Sequence, residues 1–159
     1  MAPPLLIGLE RIDLNKIIFG AEAVERINPQ RYEFRQLDGI LLFEPNEGLI
    51  VGYKDVRPDE FWVRGHIPGR PLYPGVLMIE CAAQLSSFYY KNTVGKNDTR
   101  FLGFGGVDAV KFRDTVQPGD KFIILGKCVE LRTRRIVFDT QGVVAGKLVF
   151  EARITGMVI

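Results

Sequence analysis

Residues 65–92 read GHIPGRPLYPGVLMIECAAQLSSFYYKN, and the change of texture inside that stretch decides the fold. His66, the only histidine in the chain, opens a run crowded with Pro68, Gly69, Pro71, Pro74 and Gly75. From Val76 to Asn92 there is neither proline nor glycine. Proline fixes φ and glycine permits unusual φ, so His66–Gly75 is expected to be a rigid, folded-back loop feeding a helix N-terminus. The uninterrupted run then predicts a helix over 76–92, long enough to cross a small domain.

That helix is apolar on nearly every side: Val76, Leu77, Met78, Ile79, Cys81, Ala82, Ala83, Leu85, Phe88 and Tyr89 leave little watered surface. Glu80, Gln84 and Ser87 share one thin stripe, because positions four and seven apart lie on the same face. Such a stripe is either the solvent edge of an amphipathic helix or a buried helix presenting one carboxylate to a cavity. Its narrowness, with Val76 and Ala83 close on either side, favours the cavity. His66 is similarly open on residue type alone, since a lone histidine is commonly a surface or satisfied core residue. The prolines around it favour a functional site, because a merely solvated side chain needs no such rigidity. One histidine and two distant cysteines make no metal-ligand cluster, so no metal or other cofactor is expected.

Outward from this stretch the chain is ordinary in composition. Its 159 residues suit one domain with one core, and 47% hydrophobic with 25% charged residues suit a globular protein. A net charge of +2 argues against a nucleic-acid binder, and no apolar run approaches the length of a membrane span. The start, Met1–Ile7, lacks the basic n-region of a signal peptide and soon reaches Glu10 and Arg11. Cys81 and Cys128 are expected to be free thiols in a reducing cytoplasm. Asp13–Asn28 carries a helical pattern, with Asp13 as N-cap and Leu14, Ile17, Ile18, Ala21 and Val24 in period. It predicts an amphipathic helix over 13–28 on the outside of a sheet. Strands are predicted at Gly39–Phe43, Leu49–Val56, Gly106–Phe112, Lys121–Arg132, Arg135–Val144 and Leu148–Val158, separated by turn-forming residues. A meander with one apolar face, filled by one long helix, is an α+β layer arrangement.

The motif His66-x-Pro68-Gly69-x-Pro71-x-x-Pro74-Gly75-Val76-Leu77-x-x-Glu80-x-x-Ala83-Gln84 resembles the signature of the beta-hydroxyacyl-(acyl carrier protein) dehydratases. Arg31-Tyr32, Phe104-x-Gly106-x-Asp108-x-x-x-Phe112-Arg113 and Pro118-Gly119-Asp120 extend the resemblance over nearly the whole chain, weakly before residue 28. It implies a single hot-dog domain over 1–159, in which a curved antiparallel sheet wraps a central helix. The chain departs from the family at Gln30, where His is usual, at Ile67, where Phe is usual, and at Glu33, Arg35 and Gln36, where the family is apolar. Those departures bear on the site entrance and on acyl chain length.

The resemblance also implies chemistry. A 3-hydroxyacyl thioester loses water when a base takes the C2 proton and an acid protonates the leaving hydroxyl. The implied base is His66 and the implied proton donor Glu80; glutamate at that position fits the branch that does not isomerise the double bond. Gly75 and Val76 begin the helix, where unpaired N–H groups suit the thioester oxygen. Gln84, one turn beyond Glu80, either orients the carboxyl or faces a buried water. The implied assembly is a homodimer with shared sites, or a trimer of dimers, acting on phosphopantetheine-linked acyl chains of an acyl carrier protein. Arg132, Arg134 and Arg135, or Lys96 and Arg100, would meet the acidic carrier, although each set is also what a solvated turn contains. A hot-dog thioesterase and a non-catalytic acyl-thioester-binding module are the competing expectations.

Overall fold

Six strands and one long helix carry the fold in the computed structural model, which describes residues 2–159. The strands are β1 (Gly39–Glu44), β2 (Leu49–Asp55), β3 (Leu102–Phe112), β4 (Lys121–Arg132), β5 (Arg135–Val144) and β6 (Lys147–Val158). They form one antiparallel sheet in the order β1-β2-β4-β5-β6-β3. Between β2 and β3 the chain makes the helix α2 (Gly75–Lys91), which lies across β6, β4, β2 and β5. A sheet curled around one buried helix is the hot-dog arrangement, as the resemblance implies.

Local chemistry sets the helix ends. Pro74 enters with φ −62°, and its carbonyl accepts from Leu77 N and Met78 N at 3.0 and 3.2 Å. At the far end Asn92 Nδ2 and Thr93 Oγ1 donate to the carbonyls of Phe88 and Tyr89, both at 2.8 Å, adding to the bonds those carbonyls accept from Asn92 N. In the middle Leu85, fully buried, sits over two glycines of the sheet. A methyl group on Gly52 would come 2.9 Å from its Cδ1, and one on Gly126 3.0 Å from its Cδ2. The helix backbone therefore approaches the sheet where β2 and β4 have no side chains.

Three expectations change. The outer face of the sheet is apolar too: Leu49, Val51, Tyr53, Ile123, Leu125 and Val143 form a second core. This is why β2 and the start of β4 read as nearly continuous hydrophobic runs, since a strand covered on both faces loses its alternation. What covers that face is the N-terminal segment, with Leu5, Leu6, Ile7, Leu9 and Ile12 packed on it. Gln141 ties it down by accepting from Leu6 N at 2.7 Å and donating to the Pro4 carbonyl at 3.1 Å.

The helix predicted over 13–28 is only α1, Ala21–Ile27, and it packs beside α2 and β1 rather than outside the sheet. Leu14, Ile17 and Ile18 are exposed, and the Phe19 backbone bridges to Ile40 at the edge of β1. Backbone pairing with that open edge outcompetes the helical pattern, and Gly20 marks the switch. Finally, β3 starts at Leu102 rather than at Gly106. An edge strand with few neighbours to pack against tolerates Gly103, Gly105 and Gly106, and its register shifts beside Gly106 and again near Ala109.

Candidate active site

The loop that carries His66 is held at both ends. Lys54 on β2 pairs with Glu60 at 2.7 Å, both side chains almost fully buried, and its ammonium lies 5.7 Å from the centre of the Tyr73 ring. Tyr73 N donates to Val116 O at 2.7 Å, fixing the other end. Between them His66 N donates to Trp62 O at 2.8 Å, and Arg70 N to Ile67 O at 2.9 Å across Gly69, which needs its φ of +80°. The imidazole itself is solvent-exposed, with Nδ1 2.8 Å from the Leu72 carbonyl. A carbonyl only accepts, so Nδ1 carries the hydrogen and Nε2 is the ring nitrogen left without a partner among the described residues.

Glu80 stands one turn into α2 and is half-buried. Burial raises its carboxyl above the ordinary range, opposed in part by the hydrogen bond from Gln84 Nε2 at 2.9 Å. Gln84 is buried and uses its whole amide: Oε1 accepts from Gln36 N and Leu37 N at 2.9 and 3.1 Å, and Nε2 also donates to Phe34 O at 2.9 Å. Gln84 thus hydrogen-bonds the Glu80 carboxyl directly. It is also the post to which residues 34–37 are tied. Tyr73, whose phenol is held protonated by burial, donates to Gln36 Oε1 at 2.9 Å. Arg35 bridges Glu25 and Asp38, each at 3.0 Å. The polar residues of this segment therefore have structural partners.

Gly75 and Val76 donate no hydrogen bond within the described residues, which leaves both N–H groups free at the helix start. Gly75 is not there for an unusual φ. A methyl group on it would lie 2.6 Å from the Phe112 ring, so β3 presses against the helix N-terminus at this point. Cys81, one residue beyond Glu80, is buried and far too weakly acidic to serve as a thiolate.

Glu80 and Gln84 line a cavity of about 80 Å³ with Gln30, Ala83, Ser87 and the β3 residues Leu102–Phe104. His66 does not line it. Ligand pockets usually enclose several hundred cubic ångströms, so this cavity alone is too small for an acyl thioester. Beside it β3 forms the end of the sheet, with Phe104, Val107 and Phe112 exposed. A groove of about 380 Å³ adjoins the cavity through Ser87 and Leu102 and is lined by Arg26, Arg31, Lys91 and Arg100. The basic residues singled out by sequence are partly neutralised: Arg132 and Arg135 both pair with Glu130, and Arg100 with Asp98. Sequence reading missed Arg26, whose neighbours in the groove are remote in the chain. It also missed Gln30 as a wall of the cavity, although the departure from the family pattern marks that position.

Residues 28–153 match the family described as the FabA-like domain. The chain belongs to that family. It is 34% identical over 139 residues to the 3-hydroxyacyl-(acyl-carrier-protein) dehydratase FabZ of Campylobacter jejuni, covering 86% of this chain and 94% of that one. It is 36% identical over 143 residues to the bifunctional enzyme LpxC/FabZ of Chlorobaculum tepidum, of which it spans 30%. Among solved structures, the dehydratase heterocomplex ApeI:P of Xenorhabdus doucetiae aligns over 86% of this chain with a TM-score of 0.73 at 14% identity. The thioesterase PA1618 of Pseudomonas aeruginosa aligns over 87% with 0.67 at 16%. These structural likenesses concern the fold, which FabA-like domains share with thioesterases.

The raised carboxyl makes a stability statement. A carboxyl whose folded-state value lies above its unfolded one costs stability once the pH passes the unfolded value, and the full cost is reached above the folded value. Glu80→Gln keeps an oxygen for Gln84 and removes that cost. Its melting temperature should match wild type in acid, below the ordinary carboxylate range, and exceed it at about pH 8. Equal melting temperatures at both pH values would remove the burial argument.

Proposed function

We infer that the chain is a 3-hydroxyacyl-(acyl carrier protein) dehydratase, a hydro-lyase of fatty acid biosynthesis that forms trans-2-enoyl thioesters. The observation that carries the mechanism is the complementary placement of two groups: an imidazole whose Nδ1 is engaged by the Leu72 carbonyl so that Nε2 is left open, and a half-buried carboxyl that burial favours as the acid. His66 Nε2 takes the C2 proton, and Glu80 gives its proton to the C3 hydroxyl as the C–O bond breaks. The free N–H groups of Gly75 and Val76 hold the thioester oxygen as negative charge develops there. Gln84 fixes the carboxyl that faces the substrate.

In this mechanism the site is completed by a second copy of the chain. His66 lies outside the Glu80 cavity of its own chain, the cavity is too small for the substrate, and β3 offers an open edge flanked by exposed aromatic residues. Pairing of β3 edges removes that edge and sets the His66 loop of one copy beside Glu80 of its partner. The groove suits the acidic carrier protein through Arg26, Arg31 and Lys91, Arg100 being paired with Asp98, and it adjoins the cavity that contains Glu80. The enzyme works in the cytoplasm, with both cysteines as thiols.

Two measurements follow. Purified protein should hydrate a crotonyl thioester, seen as loss of enoyl absorbance, without release of free thiol. His66→Ala and Glu80→Gln should each lower the rate by about 10²–10⁴-fold while remaining folded. Wild-type turnover by either variant removes the residue from the mechanism, while thiol release would indicate a thioesterase. For the carrier, Arg26→Glu should raise KM for the carrier-linked substrate several-fold and leave a neutral N-acetylcysteamine thioester unchanged. Equal effects on both substrates would exclude the groove as the docking surface.

A further inference from the structure

Dehydration releases a water molecule beside Glu80, and the cavity behind that carboxyl carries unpaired groups suited to hold it. Gln30 Oε1 is buried and has no hydrogen-bond partner among the described residues. A buried amide oxygen without a donor is uncommon, because native chains pair such atoms with protein or with water. Gln30 lines the same cavity as Glu80, Gln84 and Ser87. Gln84 has no hydrogen-bonding capacity left, as its amide is fully used. One carboxyl oxygen of Glu80 accepts from Gln84, and the other has no partner among the described residues. Ser87, almost fully buried, donates no hydrogen bond within the described residues, whereas Ser86 donates to Ala82 O. Gln30, Glu80 and Ser87 thus line one space of about 80 Å³, together with Ser86 and Thr155. That space is roomy enough for water and, beside the several hundred cubic ångströms of a usual ligand pocket, too small for an acyl chain.

We propose that Gln30 is a water-binding residue of the reaction, holding with Ser87 the water that is formed or consumed at Glu80. This rests on the dehydratase function above. In the forward direction the C2–H electron pair becomes the new C2=C3 bond and the proton passes to His66. The C3–O pair leaves with the oxygen, which takes the Glu80 proton and becomes water. That water donates one hydrogen to the Glu80 carboxylate and the other to Gln30 Oε1, and its oxygen accepts from the Ser87 hydroxyl. The two hydrogens of the water thereby meet two acceptors. In reverse, the same water returns a proton to Glu80 as its oxygen bonds to C3.

The test uses the full-length protein and crotonyl thioester hydration. Gln30→Met keeps the length of the side chain and removes the acceptor; Gln30→His restores one as a ring nitrogen. Gln30→Met should lower kcat by about 5- to 10-fold, the loss of one hydrogen bond, with KM and melting temperature unchanged. Gln30→His should recover most of kcat, and Ser87→Ala should lower it by a smaller factor. A crystal structure of the wild-type protein should hold a water within hydrogen-bonding distance of Gln30 Oε1. Wild-type kcat in Gln30→Met, loss of kcat in step with melting temperature, or a dry cavity would overturn the proposal. Failure of the wild-type protein to hydrate the thioester would instead overturn the dehydratase function itself, and this proposal with it.

Discussion

The side-chain amide of Gln84 is the constraint on which the site depends. It lies inside the wall of a buried helix, and an amide there is tolerable only if its donors and acceptor are all used. Four hydrogen bonds use them: two backbone N–H groups, one backbone carbonyl and the Glu80 carboxyl. Three of these bind residues 34–37 against the helix, and the fourth holds the Glu80 carboxyl. Removing the amide would leave two buried N–H groups without an acceptor, at about 1–3 kcal/mol each. Fold and chemistry therefore share one side chain. Asn28 adds to the same junction, donating from Nδ2 to the Gln84 carbonyl at 2.9 Å.

Around that junction the work is divided between a held loop and an open edge. The buried Lys54–Glu60 pair and the Tyr73 N–H contact pin the His66 loop without closing it over, so the imidazole stays exposed in the single chain. Breaking such a buried pair by removing one partner typically costs about 3–5 kcal/mol, which keeps the loop from drifting. The Phe112 ring, pressed against Gly75, couples the helix start to β3. A second copy pairing along β3 would therefore act on the N–H groups proposed to hold the thioester oxygen as well as on the cavity beyond them.

The central helix and the strand order of elements were legible because their signals are local. Pro74-Gly75 starts α2, and the lack of any later breaker carries it to Lys91. The turns at 118–120, 133–134 and 145–146 separate β4, β5 and β6 from their neighbours. What escaped depends on distant partners. Leu14, Ile17 and Ile18 have a helical period, but the Ile40 backbone claims Phe19. The partners of Gln84 lie 47 to 50 residues away in sequence, so a stripe on a helical wheel could not distinguish orienting from filling. The side chains of Arg35 and Gln36, read as departures from the family pattern, bond to Glu25, Asp38 and Tyr73, partners that only the fold reveals. The His66, Gly75 and Glu80 spacing was visible, whereas the cavity behind Glu80 required the fold.

The claim that one acid and one base from two copies make each site is tested most directly by mixing inactive subunits. His66→Ala and Glu80→Gln protein, dissociated and reassociated together, should form mixed dimers in which one site carries both wild-type residues. Random pairing makes half of the dimers mixed, with one working site in each, so about a quarter of wild-type activity should return. No recovery, once exchange of tagged subunits has been demonstrated, would place His66 and Glu80 in the same chain's site and contradict the account.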